Sequence, residues 1–305
     1  MTLTIATSQF DTSADPATNA QAMMQQVSEA KAAGADIIHF PEACLSGYAG
    51  HDLVSYEGYD WVALRRATND LVDHIRQTRI WVAFGSAHLL SPGHKPHNSV
   101  YVINDHGELV DRYDKRFCAG AADGRTGDLA HYTPGNHGCL FSLKGRRIGI
   151  LICHEYRYPE LYREYKRQGA DLLLHSFHAG NLSSERFAAM EAVVGAGHHA
   201  LNPATTIAGI TQLAAVPAAA ADNYLWISCA NSSAPRSCWG AFMARPDGVV
   251  TGRLPVEQAG LLITTIDPAT AYYDSTRDWR ERAMNGQLHS GRLLDDPRSK
   301  NRTSF

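Results

Sequence analysis

The chain has 305 residues, with 28 Lys and Arg against 31 Asp and Glu, so its net charge is −3 and nothing pulls it broadly toward nucleic acid. Hydrophobic residues make up 44% and charged residues 19%, which is enough apolar material for a sizeable core and excludes a disordered chain. The longest fully apolar stretch, Leu213 to Ala221, includes a proline and falls far short of the roughly 18 residues of a membrane helix. With no basic region ahead of a long apolar segment at Met1 to Thr7, the expectation is a cytoplasmic protein without a secretory leader or membrane contact.

Leu3 to Phe10 reads as a strand by its β-branched and apolar content. Ser13 or Asp15 ahead of Pro16 offers an N-cap, and the helix runs to Lys31 and stops at Gly34. Ala35 to Phe40 is a short buried strand stopped by Pro41. A second helix spans about Trp61 to Thr78, followed by the strand Ile80 to Phe84. Asn98 to Ile103 and Glu108 to Tyr113 form an antiparallel pair around the turn Asp105-His-Gly107. Cys139 to Leu143 and Arg147 to Ile152 form another around Lys144-Gly145.

The second half echoes the first. A helix from about Tyr158 to Gln168 ends at Gly169, and Gly169-Ala-Asp-Leu-Leu-Leu-His175 repeats the pattern of Gly34-Ala-Asp-Ile-Ile-His39. An interrupted helical stretch from about Pro203 to Asn223 leads to a strand at Tyr224 to Cys229, with further strands at Trp239 to Ala244 and Leu261 to Ile266. No Pro-, Ser- or charge-rich linker separates the halves. A single α/β domain over residues 1–273 is therefore expected, with an Arg-rich polar tail over 274–305 that needs the body or a partner subunit to pack on.

Six cysteines without a Cys-x-x-Cys pair argue against a disulfide scaffold, a zinc ribbon or a thioredoxin-type site. Three positions stand out because each follows a strand. Cys153 closes the apolar run Ile148 to Ile152, Glu42 follows His39-Phe-Pro, and Lys115 follows Leu109 to Asp114. Singly, each has a plainer reading: a small buried thiol, a loop carboxylate capping an amide, a solvated lysine. Together they supply a nucleophile, a base and a fixed cation.

Their segments resemble the signature blocks of the nitrilase superfamily, the carbon–nitrogen hydrolases. The first is Phe40-Pro-Glu42 with Gly47-Tyr48; the second is Asn98-Ser99, Asp105-His-Gly107 and Tyr113-Asp-Lys115-Arg116; the third is Cys153-His-Glu155-Tyr-Arg157-Tyr-Pro-Glu160. A weaker block runs from Ala221-Asp-Asn223 to Arg245-Pro-Asp-Gly248, and the resemblance covers about residues 3 to 267.

The resemblance implies a four-layer α-β-β-α sandwich and a catalytic triad of Glu42, Lys115 and Cys153 that works without a cofactor. Glu42 would take the thiol proton, pass one to the leaving amine and later activate water. Lys115 and the backbone N–H of His154 would stabilise the substrate oxyanion. The family's supporting glutamate falls here on Asp128, six residues before Pro134. Because aspartate is one methylene shorter, either the loop from Cys118 to Thr133 moves inward or the group is only loosely placed. Asp222 likewise stands where glutamate is usual.

Tyr48, Phe177 and His178 are candidate substrate contacts, and Arg157 with Glu160 is read as fixing the turn after Cys153. Cys44 is read as a packing thiol. His175, His178, His198 and His199 form the only local histidine cluster, but adjacent histidines seldom share a ligand geometry, so no metal is expected. The segment from His178 to Thr211 is long enough for a lid and carries Arg186 as its only Lys or Arg. The Cys-x-(acid)-x-Arg form resembles the amidase and carbamoylase branches. The expected reaction is hydrolysis of a small linear amide or N-carbamoyl amine with release of ammonia. Nitrile hydrolysis is the runner-up, and a non-catalytic binding protein of the same fold is the least favoured reading. A homodimer or larger homo-oligomer is implied by the resemblance.

Overall fold

A computed structural model describes residues 1–305. The strands are β1 (Leu3–Phe10), β2 (Ile37–His39), β3 (Trp81–His88), β4 (His97–Ile103), β5 (Leu109–Asp114), β6 (Leu140–Leu143), β7 (Arg146–Ile152), β8 (Leu172–Ser176), β9 (Trp226–Ser232), β10 (Phe242–Ala244), β11 (Val250–Arg253) and β12 (Gly260–Ile266). The helices are α1 (Pro16–Ala32), α2 (Trp61–Thr78), α3 (Pro159–Arg167), α4 (Ser184–Val194) and α5 (Ile207–Asn223), with the short α6 (Arg280–Met284) and α7 (Pro297–Lys300) in the tail.

One sheet runs β12-β1-β2-β3-β4-β5, with β1, β2 and β3 parallel and the outer pairings antiparallel. The other runs β6-β7-β8-β9-β10-β11 with the same pattern, β7, β8 and β9 being its parallel centre. The sheets join where β1 meets β9, through Gln9↔Asn231 and Phe10↔Ser232. The sequence echo is this repeat. Asp36 accepts from Thr4 N at 2.9 Å, and Asp171 accepts from Arg147 N at 3.0 Å. Each aspartate thus pins the start of a parallel pair at the equivalent place in its own sheet.

Strand alternation builds the layers. Leu3, Ile5 and Ile37 face the second sheet, while Ala6, Ile38 and Phe40 join the cluster under α1 and α2. Those helices contribute Ala20, Met23, Val27 and Ala30, and Leu64, Ala67, Leu71 and Ile75, spaced three and four apart as a single buried stripe requires. On the far side α3 and α5 cover the second sheet with Leu161, Tyr162, Tyr165, Leu213, Val216 and Ala220. Between the sheets, Trp81 stacks on Phe141 at 5.9 Å. His39 bridges Ser228 and Ser176, both at 2.9 Å. The architecture is a four-layer α-β-β-α sandwich of the nitrilase type.

Asp15 is the N-cap of α1, accepting from Ala17 N and Thr18 N, with Pro16 in the first turn. Two expectations need correcting. The stretch before β9 is one continuous helix, α5, with Pro217 inside it. Burial of Leu213, Val216 and Ala220 around that point outweighs the roughly 3 kcal/mol cost of an internal proline. Tyr224 does not begin a strand but closes α5 in a left-handed conformation, so β9 starts at Trp226. Helix α4 and strand β11 escaped the sequence reading. None of the α4 residues is buried, so it lacks the apolar stripe that would announce it. No helix is long and apolar enough to cross a membrane. In the tail Leu288, Leu293 and Leu294 are exposed.

Candidate active site

Glu42 sits in the loop after β2, held by Phe40 N donating to Ala83 O at 2.8 Å and Glu42 N donating to Phe177 O at 3.2 Å. The loop lies directly on β3. A Cβ at Gly85 would come within 2.4 Å of both Ala43 N and Pro41 O. Gly85→Ala should therefore push the Glu42 loop off the sheet and cost about 1–3 kcal/mol. The melting temperature is expected to fall; a variant as stable as the native protein would show that the loop tolerates the displacement.

Lys115 follows β5 and is fully buried. Its Nζ lies 2.6 Å from Glu42 Oε1 and 2.7 Å from Asp128 Oδ2. Glu42 Oε1 also accepts from Asn98 Nδ2 at 2.7 Å, whereas Oε2 is buried with no N–H or O–H partner. Asp128 reaches Lys115 despite its shorter side chain and is firmly placed. Asp128 lies in a one-turn 3₁₀ helix, Gly127–Ala130. It accepts from Ala119 N at 2.9 Å through Oδ2 and from the Tyr48 hydroxyl through Oδ1. Gly127 holds φ +56° where a Cβ would meet Ala119 O at 2.8 Å, which lets the turn tuck against its neighbour.

Cys153 follows β7 as the first residue of a second 3₁₀ turn, Cys153–Arg157, with φ +42°. A left-handed backbone at a non-glycine residue is strained. Glu155 holds it there, its Oε2 accepting from Ile152 N at 2.7 Å. Its Oε1 accepts from Arg116 N at 2.8 Å and from the Tyr113 hydroxyl at 2.7 Å. Glu155 therefore ties the thiol's turn to the loop that carries Lys115. His154 N lies in the first turn, where backbone N–H groups have no intrahelical acceptor.

Electrostatics assign a state to Lys115, Asp128 and Cys153. Burial opposes the Lys115 charge, but Asp128 and Glu42 more than compensate and hold its pKa well above the ordinary lysine value. Burial likewise works against the Asp128 carboxylate, yet Lys115 and the donated hydrogen bonds bring its pKa below the usual range. The Cys153 thiol is pushed up by burial and by the Glu42 carboxylate it faces, and Lys115 only partly offsets this. The resting site is a thiol beside an ammonium held between Glu42 and Asp128. Such a site is built to move a proton only when a substrate brings a new charge to balance it.

A cavity of about 220 Å³ opens onto this group, and Tyr48, Lys115, Asp128, Cys153, His154 and His178 all line it. His178 Nε2 pairs with Asp52 at 3.0 Å, both side chains fully buried; this partner raises the His178 pKa against the opposing effect of burial. Phe177 is the exception among the expected contacts. It lies behind the wall, packed on His175 at 4.2 Å and Trp239 at 4.9 Å, because β8 alternation turns it into the core. The turn after Cys153 is pinned by Glu155 rather than by Arg157 and Glu160; Arg157 lines the cavity and Glu160 is exposed. Cys44 is buried against Met23 and Gly85. No three His, Cys, Asp or Glu side chains are grouped to hold a metal ion.

Asn98 and Glu155 lay in quoted motif blocks and could have been singled out by their places beside Lys115 and Cys153. Asp52, His51, Arg186, Met190 and Gln212 come from segments with no such marker.

A family model described as carbon-nitrogen hydrolase matches residues 4–274. A formamidase from Pseudomonas syringae pv. tomato is 30% identical over 149 residues, 47% of this chain and 40% of that protein. A glutamine-dependent NAD(+) synthetase from Acinetobacter baylyi is 29% identical over 138 residues, 45% of this chain and 24% of that protein. The chain thus matches less than half the length of these curated relatives. Among solved structures, a variant of the amidase from Nesterenkonia sp. AN1, carrying the acetamide moiety of fluoroacetamide at its active-site cysteine, superposes with a TM-score of 0.70. It is 21% identical, and the match covers 94% of this chain and 97% of that one.

Proposed function

The chain belongs to the carbon–nitrogen hydrolase family, and from that premise we propose that it hydrolyses a small linear amide or N-carbamoyl amine through a thioester-type intermediate on Cys153. The observation that carries this reading is the buried, unpartnered Glu42 Oε2 beside a protonated thiol, with the Lys115 ammonium fixed on the other carboxylate oxygen. Formamidase and amidase relatives support amide hydrolysis.

In this reading the Cys153 sulfur attacks the carbonyl carbon while Glu42 takes the thiol proton. The C=O electron pair moves onto oxygen, and Lys115 Nζ and His154 N–H receive that charge. As the pair returns, the C–N bond breaks and Glu42 passes the proton to the departing nitrogen, releasing ammonia. Water then gives a proton to Glu42 as its oxygen attacks the thioester carbon; the C–S bond breaks, the sulfur takes that proton from Glu42, and the acid leaves with the thiol and carboxylate restored. An N-carbamoyl substrate ends as ammonia, carbon dioxide and amine. Asp128 and Tyr48 act as positioning groups, keeping Lys115 charged and aimed. We place residues 1–273 in one catalytic domain, and we expect the exposed leucines of the tail to be covered in a homo-oligomer in the cytoplasm.

An ammonia-release screen over matched primary amides, N-carbamoyl amines and nitriles tests the proposal. Turnover is expected with the first two classes. Predominant nitrile hydrolysis would replace the reading with that of a nitrilase, and binding without any turnover would favour a non-catalytic protein.

A further inference from the structure

The wall of the cavity away from Glu42 has a one-sided chemistry. The only carboxylate lining the cavity is Asp128, and both its oxygens are occupied, by Tyr48 on one side and by Lys115 and Ala119 N on the other. The lining also carries cationic and donor side chains. Two of them are guanidiniums, Arg157 and Arg186, and neither has a carboxylate partner. Arg157 rests over the Tyr156 ring at 4.9 Å. Arg186, carried on α4, has only the His51 ring, with its NH1 3.3 Å from Nε2. Burial, with His178 and Arg186 adding to it, holds His51 neutral at a pKa of about 3. That ring can therefore accept the Arg186 N–H and aim the guanidinium rather than neutralise it.

Gln212 adds a third donor. It is buried, and its Oε1 accepts the Trp239 indole N–H at 2.5 Å, so the amide orientation is fixed. Its NH₂ end has no partner within the protein, and the residue lines the cavity. The lining also includes the apolar side chains of Leu182, Met190 and Ala208 and the Tyr156 ring.

We infer that Arg186, Gln212 and Arg157 receive a carboxylate on the substrate. The preferred substrate class is then a short linear amide or N-carbamoyl amine whose far end is an acid. The inference rests on the amidohydrolase reading above and deepens it. Two guanidiniums and an amide N–H suit a planar anion, because they offer paired donors in the geometry a carboxylate accepts. An ammonium end would meet two unpaired cations and be repelled. The apolar part of the lining suits a methylene linker between the acid and the scissile carbonyl.

The test uses Cys153→Ala protein, so that binding is read apart from turnover. Calorimetric titration compares a dicarboxylate monoamide and an N-carbamoyl amino acid with neutral amides of matched length. At least one acid-bearing ligand is expected to bind tenfold or more tighter than its neutral match. That preference should shrink about ten- to hundredfold when Arg186→Met or Gln212→Glu is added, the loss expected for a charge-assisted hydrogen bond. Gln212→Glu keeps the acceptor for Trp239 and replaces the donor end with a carboxylate oxygen that repels an acid. Arg186→Lys, which retains the charge, should recover part of the preference. Equal affinity for acid and neutral ligands, or a preference that neither substitution moves, overturns the inference. Turnover by the native enzyme is measured in parallel and reports on the amidohydrolase reading alone.

Discussion

Cys153→Ala is expected to abolish amide turnover, by roughly 10⁵-fold or more, while the protein keeps its fold. The magnitude follows from the proposed covalent step: without the sulfur no thioester forms, and Glu42 and Lys115 are left to direct water at an amide they were not arranged to present to it. Residual turnover within tenfold of native would remove the thiol from the mechanism. A companion variant separates chemistry from backbone. Position 153 is held at φ +42°, a region that crowds any Cβ, so Cys153→Gly should be about 1 kcal/mol more stable than Cys153→Ala although both are inactive. Equal unfolding midpoints would mean that the turn carries no strain. A higher midpoint for glycine would show that the Glu155 bonds to Ile152, Arg116 and Tyr113 hold a conformation the chain would otherwise leave.

Lys115→Met should be the most damaging single substitution to the fold as well as to the reaction. It leaves Glu42 and Asp128, both buried, without their shared cation, and breaking such a pair costs about 3–5 kcal/mol. Turnover should fall at least about a hundredfold from the lost oxyanion donor alone. The pH dependence has a defined sign. In the native protein the Asp128 pKa lies below its ordinary value. Its contribution to stability is therefore fully present above about pH 4 and drains away as pH drops through the folded-state value. Lys115 is shifted upward, so its contribution is complete below about pH 10 and is lost only as pH rises past its folded-state value. In Lys115→Met the acid-side slope should invert. The stranded carboxylates gain by taking up protons, so moderate acidification from neutrality stabilises the variant. Adding Asp128→Asn should restore part of the lost stability at pH 7. A Lys115→Met protein with native stability across this range would mean that the two carboxylates do not depend on the ammonium.

The sequence disclosed the strands that matter most for the site, and for a physical reason. Glu42, Lys115 and Cys153 each follow a strand whose apolar alternation or run is hard to mistake, and their neighbours carry ordered motif blocks. The repeat was also legible, because Asp36 and Asp171 do the same job in the two sheets and the chain spells both turns alike. Phe177 faces the core because the alternation of β8 carries one residue past its end, a continuation the apolar run alone does not reveal, and its ring packs on His175 and Trp239. Helix α4 has no buried face to give it a period, and Arg186 on it reaches the cavity across a distance in sequence that no local pattern encodes. Gln212 sits in an alanine-rich helix, where nothing but its contact with Trp239 distinguishes it from a surface glutamine.

The antiparallel register of β1 with β12, from Leu3↔Ile266 to Gln9↔Gly260, joins the beginning of the body to its end. During synthesis β1 emerges ahead of the rest of the body and must wait for nearly all of it before that side is covered. Until then its backbone N–H and C=O groups form an open edge able to recruit another strand. A ribosome that stalls, or a truncation before residue 260, would leave that edge bare on a chain already holding Glu42, Lys115 and Cys153. Aggregation, rather than a shorter working enzyme, is the outcome that this closure dictates.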